Sequence, residues 1–243
     1  GIAHDLTNSL SAVLGHCELP RGRLGKKSPA VQNNQQIKKS ASKAADLANQ
    51  MLAYSGRGKF TIEPHYLSEI ADEMRQMLAV SISKKALLRY EFAPLLPNVD
   101  VDATQLRQVI LNLVINASDA IGDKSGVIAI TTGVIDCDQA YLKDSWLDEN
   151  LPAGQYVFFE VADSGCGMDK ATVDRIVEPF FSTKPTGRGL GMAAVLGIIR
   201  SHKGAIKIYS EKGQGTTFKV LLPASRKSSP RFAQDQVAGP LFG

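Results

Sequence analysis

Residues 105–121, QLRQVILNLVINASDAI, constrain this chain more than any other stretch. Leu106, Val109, Ile110, Leu113, Val114, Ala117 and Ile121 recur at steps of three and four. That spacing predicts a helix with one face in a core. Asn112, Asn116 and Asp119 fall at steps of four and three, and so share one side of that helix. Asparagine is a poor helix-interior residue because its amide competes for backbone hydrogen bonds. Two on one face leave two readings open. One is a solvated stripe; the other is a polar edge turned to a ligand, with amide oxygens available to a hard cation.

The chain has 243 residues, enough for one large domain or two small ones. Apolar residues at 44% and charged residues at 21% describe an ordinary globular protein. The net charge of +4 comes partly from a basic tail at Arg226, Lys227 and Arg231. Basic residues interleaved with aromatics are absent, so nucleic acid is not an expected partner. Cys17, Cys137 and Cys166 have neither metal-ligand nor disulfide spacing, which points to a reducing compartment. No apolar run reaches membrane-spanning length. The chain opens inside a patterned segment without an initiating Met, so it is expected to be a fragment. A sensor domain or membrane anchor is expected only if one lies upstream, and the localisation expected is cytoplasmic.

Ile2, Leu6, Leu10, Val13, Leu14 and Cys17 follow helical spacing, as do Ile37, Ala41, Ala44, Ala45, Ala48, Met51 and Leu52. The irregular loop 20–29 separates them, which predicts a helical hairpin over 1–56. One hairpin buries too little apolar surface alone, and a dimeric four-helix bundle completes it economically. Ser55, Gly56, Arg57 and Gly58 read as a linker. Beyond it the pattern predicts strands at 60–63, 87–92, 127–135 and 156–163, with helices at 67–83 and 192–201. Residues 205–210 and 215–222 read as a terminal hairpin, and 141–153 as a polar hairpin insert carrying the single Trp146. Strands interspersed with helices suggest a mixed sheet covered by helices on one face. Residues 224–243 are rich in Ser, Pro and Gly and read as a flexible tail.

Three further stretches carry chemistry. Asp163, Gly165, Gly167 and Met168 follow a strand, an acid and glycines that allow close backbone approach to a ligand. Gly187, Arg188, Gly189, Leu190 and Gly191 open a helix, where backbone N–H groups can cradle phosphate. Between these clusters runs Glu178-Pro-Phe180-Phe181-Ser-Thr-Lys184, suited to a lid over a bound ligand. Neither a Rossmann nor a P-loop reading fits these glycines, because the Lys-Ser/Thr ending and the strand–loop–helix context are missing.

In this order, NLVINASDAI, DSGCGM, EPFFSTK and GRGLGM resemble the N, G1, F and G2 boxes of the GHKL ATP-binding fold. Residues Gly1 to Asn8 are similar to the H box of sensor histidine kinases. The resemblance covers roughly 1–223. It implies an α+β chain: a helical hairpin, forming a four-helix bundle on dimerisation, then a GHKL/Bergerat-type α/β sandwich with a mixed sheet over 57–223.

The same resemblance implies ATP and Mg²⁺ as cofactors and a response-regulator receiver domain as partner. It implies His4 as phospho-acceptor, Asp5 as acid/base and Asn8 as the residue positioning water for dephosphorylation of the partner. An imidazole with one unprotonated nitrogen can attack a γ-phosphate, and a neighbouring carboxylate can orient the ring. Asp163 would bond the adenine amino group, with Gly165, Gly167 and Met168 around the ring. Asn116, with Asn112 beside it, would hold Mg²⁺, and Asp119 shares their edge. Phe180 and Lys184 would belong to the lid, and Gly187 through Gly191, with Arg188 and Leu190, would cradle the phosphates. His16, His65 and His202 read as surface residues.

Hydrolysing GHKL ATPases carry a glutamate one helical turn before the magnesium asparagine. Asn112 stands there in this chain, and a neutral amide cannot act as a base. The implied activity is therefore a protein-histidine kinase. It would autophosphorylate His4 and pass the phosphoryl group to a response-regulator aspartate. The alternatives are a GHKL ATPase driving a conformational cycle in a partner, and a non-catalytic nucleotide-binding module.

Overall fold

The computed structural model describes residues 61–147, 151–183, 189 and 191–225, together with 13, 33–35, 37, 38 and 41. The chain divides into two compact units, Gly1–Gly58 and Lys59–Gly243. Every described residue of the first unit is helical; Val13 and Ile37 are exposed and Ala41 is buried. The expected loop at 20–29, the linker and the tail beyond 225 lie outside the described residues.

In the second unit the elements run β1 (Glu63–His65), α1 (Leu67–Glu73), α2 (Arg75–Ser81), β2 (Ala86–Phe92), β3 (Val99–Val101) and α3 (Ala103–Ile121). They continue with β4 (Gly126–Cys137), α4 (Gln139–Lys143), β5 (Gly154–Asp163), α5 (Lys170–Arg175), α6 (Gly191–Ser201), β6 (Ala205–Glu211) and β7 (Gly215–Pro223). Five strands form one sheet in the order β2-β4-β5-β7-β6. The β2–β4 pair is parallel and the other pairs are antiparallel, so the sheet is mixed, as its sequence suggests. β1 pairs antiparallel with β3 in a separate small ribbon.

Helix α3 organises the core. Asp102 caps it, accepting the N–H groups of Thr104 at 2.9 Å and Gln105 at 3.1 Å. Gly122 ends it at a φ of 64°, a conformation glycine adopts without strain. The stripe read from the sequence is the buried face: Leu106, Val109, Ile110, Leu113, Val114, Ala117 and Ile121. Each large aliphatic side chain on it stabilises the fold by about 1.5–3 kcal/mol. This face packs on α6 and β5. Helix α6 buries every residue from Met192 to Ile199, as a helix apolar all round must.

Three expectations change. The helix expected over 67–83 is two helices, α1 and α2, broken at Met74. The buried Met74 directs its N–H to the Asp72 carbonyl. The polar hairpin expected at 141–153 is instead the short helix α4, capped by Asp138, which accepts the Tyr141 N–H at 2.6 Å. Leu142 and Leu151 pack with Cys137, Tyr156, Ala205 and Leu221 in a small apolar cluster. Tyr156 lies on the sheet face opposite Phe159, whose neighbour Thr132 hydrogen-bonds Ser68 of α1 at 2.8 Å. The insert therefore caps the face that the helices leave open. The third change is His202, which is buried rather than on the surface.

Candidate functional site

Helix α3 presents Asn112 and Asn116 half-buried and Asp119 exposed. The Asn112 Nδ2 is buried with no hydrogen-bond partner among the described residues. A buried amide nitrogen normally has one, so this donor stands out on the polar edge of α3.

Strand β5 delivers Asp163 to its end, buried. Its Oδ1 accepts the Gly165 N–H at 2.7 Å. Burial pushes the Asp163 carboxyl above the usual carboxylate range, and bonds from the Gly165 and Thr216 backbones partly offset this.

The loop 163–168 is fastened on two sides. The Cys166 N–H donates to the Ala120 carbonyl of α3 at 3.0 Å, and the Gly213 N–H donates to the Cys166 carbonyl at 2.7 Å. The Met168 N–H donates to Ser210 Oγ at 2.9 Å. A Cβ on Gly165 would lie 2.6 Å from the Ala120 carbonyl carbon. Gly167 sits at a φ of 60°, and a Cβ there would come within 1.9 Å of the Glu211 oxygen. Both glycines thus let this loop touch the end of α3 and the β6–β7 turn. The space they leave for a ligand comes in addition to that.

The segment after α5 folds back on itself. The Phe180 N–H donates to the Gly189 carbonyl at 2.9 Å. Phe180 has a φ of 68° and is 69% exposed. Gly189, at a φ of 65°, lies so close that a Cβ would be 2.3 Å from the Phe180 carbonyl carbon. The Arg175 guanidinium stacks 4.3 Å from the Phe181 ring centre. Gly191 opens α6. Lys184, Gly187, Arg188 and Leu190 lie outside the described residues, as do His4, Asp5 and Asn8.

The structure therefore brings the C-terminal end of α3, the 163–168 loop and the β6–β7 turn into contact, and joins Phe180 to Gly189. It also adds two residues that sequence reasoning missed. Thr216 lies opposite Asp163 across β5 and β7, and Ser210 opposite Thr216 across β6 and β7. With Asp163 they line a groove of about 550 Å³ at the β6–β7 turn. The groove does not extend to Asn112 or Asn116. Polar residues at alternating positions of apolar strands were the available clue, but the register that aligns them is not local information.

A Mg²⁺ ion of the kind the resemblance implies would find the carboxamides of Asn112 and Asn116 on the α3 edge. Among the described residues, no group of three or more His, Cys, Asp or Glu could hold a metal. A site on the α3 edge would supply few protein oxygens, and Mg²⁺ commonly completes its shell with water and phosphate oxygens.

Residues 101–226 match the histidine kinase-, DNA gyrase B- and HSP90-like ATPases. The chain belongs to that family. The match spans the α3 asparagines, Asp163 and both glycine clusters. Likeness to sensor kinases reaches further than this ATPase domain. The chain is 36% identical to the sensor kinase CckA of Brucella abortus over 92% of its length, covering 23% of that protein. It is 30% identical to the sensor histidine kinase ZraS of Escherichia coli K12 over 93% of its length, covering 44% of that protein. The chain thus spans less than half of either relative. Among solved structures it shares the fold of full-length ShkA in complex with AMPPNP, at a TM-score of 0.73 and 23% identity. That alignment covers 94% of this chain and 46% of ShkA. No helix among the described residues is long and apolar enough to cross a membrane.

Proposed function

We propose that this chain is the catalytic core of a sensor histidine kinase. It transfers the γ-phosphoryl group of ATP to His4, and from there to an aspartate on a response-regulator receiver domain. The observation that carries the reading is the reach of the sensor-kinase likeness. It runs over 92% of the chain and so takes in most of what precedes the ATPase domain at residue 101. An ATPase domain alone would not extend it there.

The resemblance suggests the parts, and the geometry supports those that fall on described residues. Asp163, a buried acceptor, binds the adenine amino group. Asn116 holds Mg²⁺, which neutralises phosphate charge when bound. Asn112 stands beside it, and its unpaired buried Nδ2 suits a phosphate oxygen. Gly189 and Gly191 present backbone N–H groups at the start of α6, and the resemblance assigns Gly187 to the same phosphate cradle. Residues 1–56 dimerise and carry His4, residues 57–223 bind ATP, and residues 224–243 form a tail. Asp5 orients and deprotonates the His4 ring, and Asn8 positions water for dephosphorylation. Val13 and Ile37 are exposed in a single chain, as an uncompleted bundle face requires. The reaction belongs to the cytoplasm, where ATP and receiver domains are found.

Incubation with γ-labelled ATP and Mg²⁺ tests the assignment. The expected product carries acid-labile, base-stable phosphate mapped to His4, and His4→Ala abolishes it. Labelling that survives His4→Ala rejects the acceptor. Steady phosphate release without any phosphoprotein favours the ATPase alternative.

A further inference from the structure

Asp163, Thr216 and Ser210 stand side by side at one level of the sheet, on three adjacent strands. Ser210 is the outermost of the three, and its hydroxyl meets three groups. Its oxygen accepts the Met168 N–H at 2.9 Å. It lies 3.1 Å from the Gly215 carbonyl, which can only accept. It lies 2.9 Å from Thr216 Oγ1, where either hydroxyl can donate.

A hydroxyl has one proton and two acceptor lone pairs. Only one arrangement satisfies all three contacts. Ser210 donates to Gly215, accepts from Met168, and accepts from Thr216. The Thr216 proton is then committed to Ser210, and Thr216 Oγ1 keeps only lone pairs for the groove. The carboxylate beside it is likewise an acceptor.

We propose that Ser210 is a positioning residue for base selection: by holding the Thr216 proton it makes this end of the groove acceptor-only. The proposal rests on the nucleotide reading above and deepens it. An acceptor-only wall favours a base edge carrying an amino group, as adenine does at position 6. It disfavours a 6-oxo purine, whose carbonyl would face lone pairs with no donor between them. Removing the Ser210 hydroxyl frees Thr216 to rotate and donate to a 6-oxo group.

Titration of the whole chain with ATP and with ITP, the 6-oxo counterpart, tests this directly. Wild type is expected to prefer ATP. In Ser210→Ala the ATP-to-ITP affinity ratio falls by about fivefold, the worth of one hydrogen bond. Ser210→Thr keeps a hydroxyl and restores the ratio. A purely structural role would weaken both nucleotides alike. Should Ser210→Ala fail to fold, Thr216→Val removes the hydroxyl that Ser210 orients and is expected to lower the ratio similarly. An unchanged ratio in folded Ser210→Ala, or in Thr216→Val, overturns the inference while leaving ATP binding intact. Failure of wild type to bind either nucleotide overturns the nucleotide reading itself, and the inference with it.

Discussion

The His202 imidazole accepts the backbone N–H of Asp102 through Nε2 at 2.9 Å. Its Nδ1 donates to the Ile198 carbonyl at 2.7 Å. Both ring nitrogens are thus occupied and the ring is neutral. Asp102 caps the start of α3, and His202 follows the end of α6, so this imidazole ties the two helices together. The contact holds the first turn of the helix that carries Asn112 and Asn116.

Removing this tie by His202→Ala is expected to cost about 1–3 kcal/mol, because the Asp102 N–H loses its partner. The cost depends on pH in a defined direction. Burial, outweighing the Ile198 carbonyl and Asp102, holds the His202 pKa below its ordinary value of 6.5. A lowered folded pKa gives stability that is complete above the ordinary value and is lost as pH falls through the folded one. Urea unfolding at about pH 8 and about pH 5.5 checks this against ordinary histidine titration. The gap between wild type and His202→Ala should narrow at the lower pH, and a gap that widens rejects the neutral ring.

Two glycines with similar backbone strain are expected to behave differently. Gly167 and Gly213 both have positive φ, 60° and 85°. Alanine costs roughly 1–2 kcal/mol at either on backbone grounds. At Gly213 nothing lies within 4 Å of the added carbon, whereas at Gly167 the Glu211 carbonyl oxygen would lie at 1.9 Å. Gly167→Ala should therefore destabilise by several kcal/mol more than Gly213→Ala in thermal or chemical unfolding. Equal losses would mean that the 163–168 loop can lift off the β6–β7 turn freely.

Much of this arrangement was legible in the sequence because it is local. The α3 stripe and the strand leading to Asp163 each follow from periodicity within a few residues. What stayed hidden depends on contacts distant along the chain. Asp102 and His202 are 100 positions apart, and nothing near His202 marks it as buried. The pairing of Ser210 with Thr216 needs the hairpin register, and their place beside Asp163 needs the β5–β7 register as well. The insert 141–153 reads as polar because Lys143, Asp144, Asp148, Glu149 and Asn150 outnumber its three leucines. Leu142, Leu147 and Leu151 are nevertheless all buried. Spacings of five and four match neither a strand nor a single continuous helix.

Asp163 carries opposite consequences for stability and for binding. Its carboxyl is pushed above its ordinary value of 3.8, chiefly by burial. An acid with a raised folded pKa stabilises below its unfolded pKa and loses that stability as pH rises through the folded one. Above its folded pKa the ionised Asp163 is therefore a cost to the empty fold. Asp163→Asn, which keeps an acceptor for the Gly165 N–H, should leave the melting temperature unchanged or raise it. ATP affinity should fall at least tenfold, because the charged acceptor for the amino group is gone. In wild type, affinity should decline as pH falls through a range above that of ordinary carboxylates, and Asp163→Asn should flatten that decline. Calorimetric titration across pH measures both. A wild-type affinity independent of pH down to about pH 4, the ordinary carboxylate range, would separate Asp163 from the base.

Asn112 supplies the last test, since the choice between kinase and ATPase turns on it. Its side chain is half-buried on the polar edge of α3, one turn before Asn116. Water attack on ATP needs a base there, and a carboxamide cannot take the proton. Asn112→Glu places a carboxylate at this position, and Asn112→Gln matches its length without the charge. In a His4→Ala background, which removes the proposed acceptor, Asn112→Glu should raise phosphate release from ATP by about tenfold. That is modest beside the roughly 10²–10⁴-fold of an evolved general base, because nothing else has been adjusted to hold the water. Asn112→Gln should show no gain. Equal release from both variants would mean that the amide is not what suppresses hydrolysis.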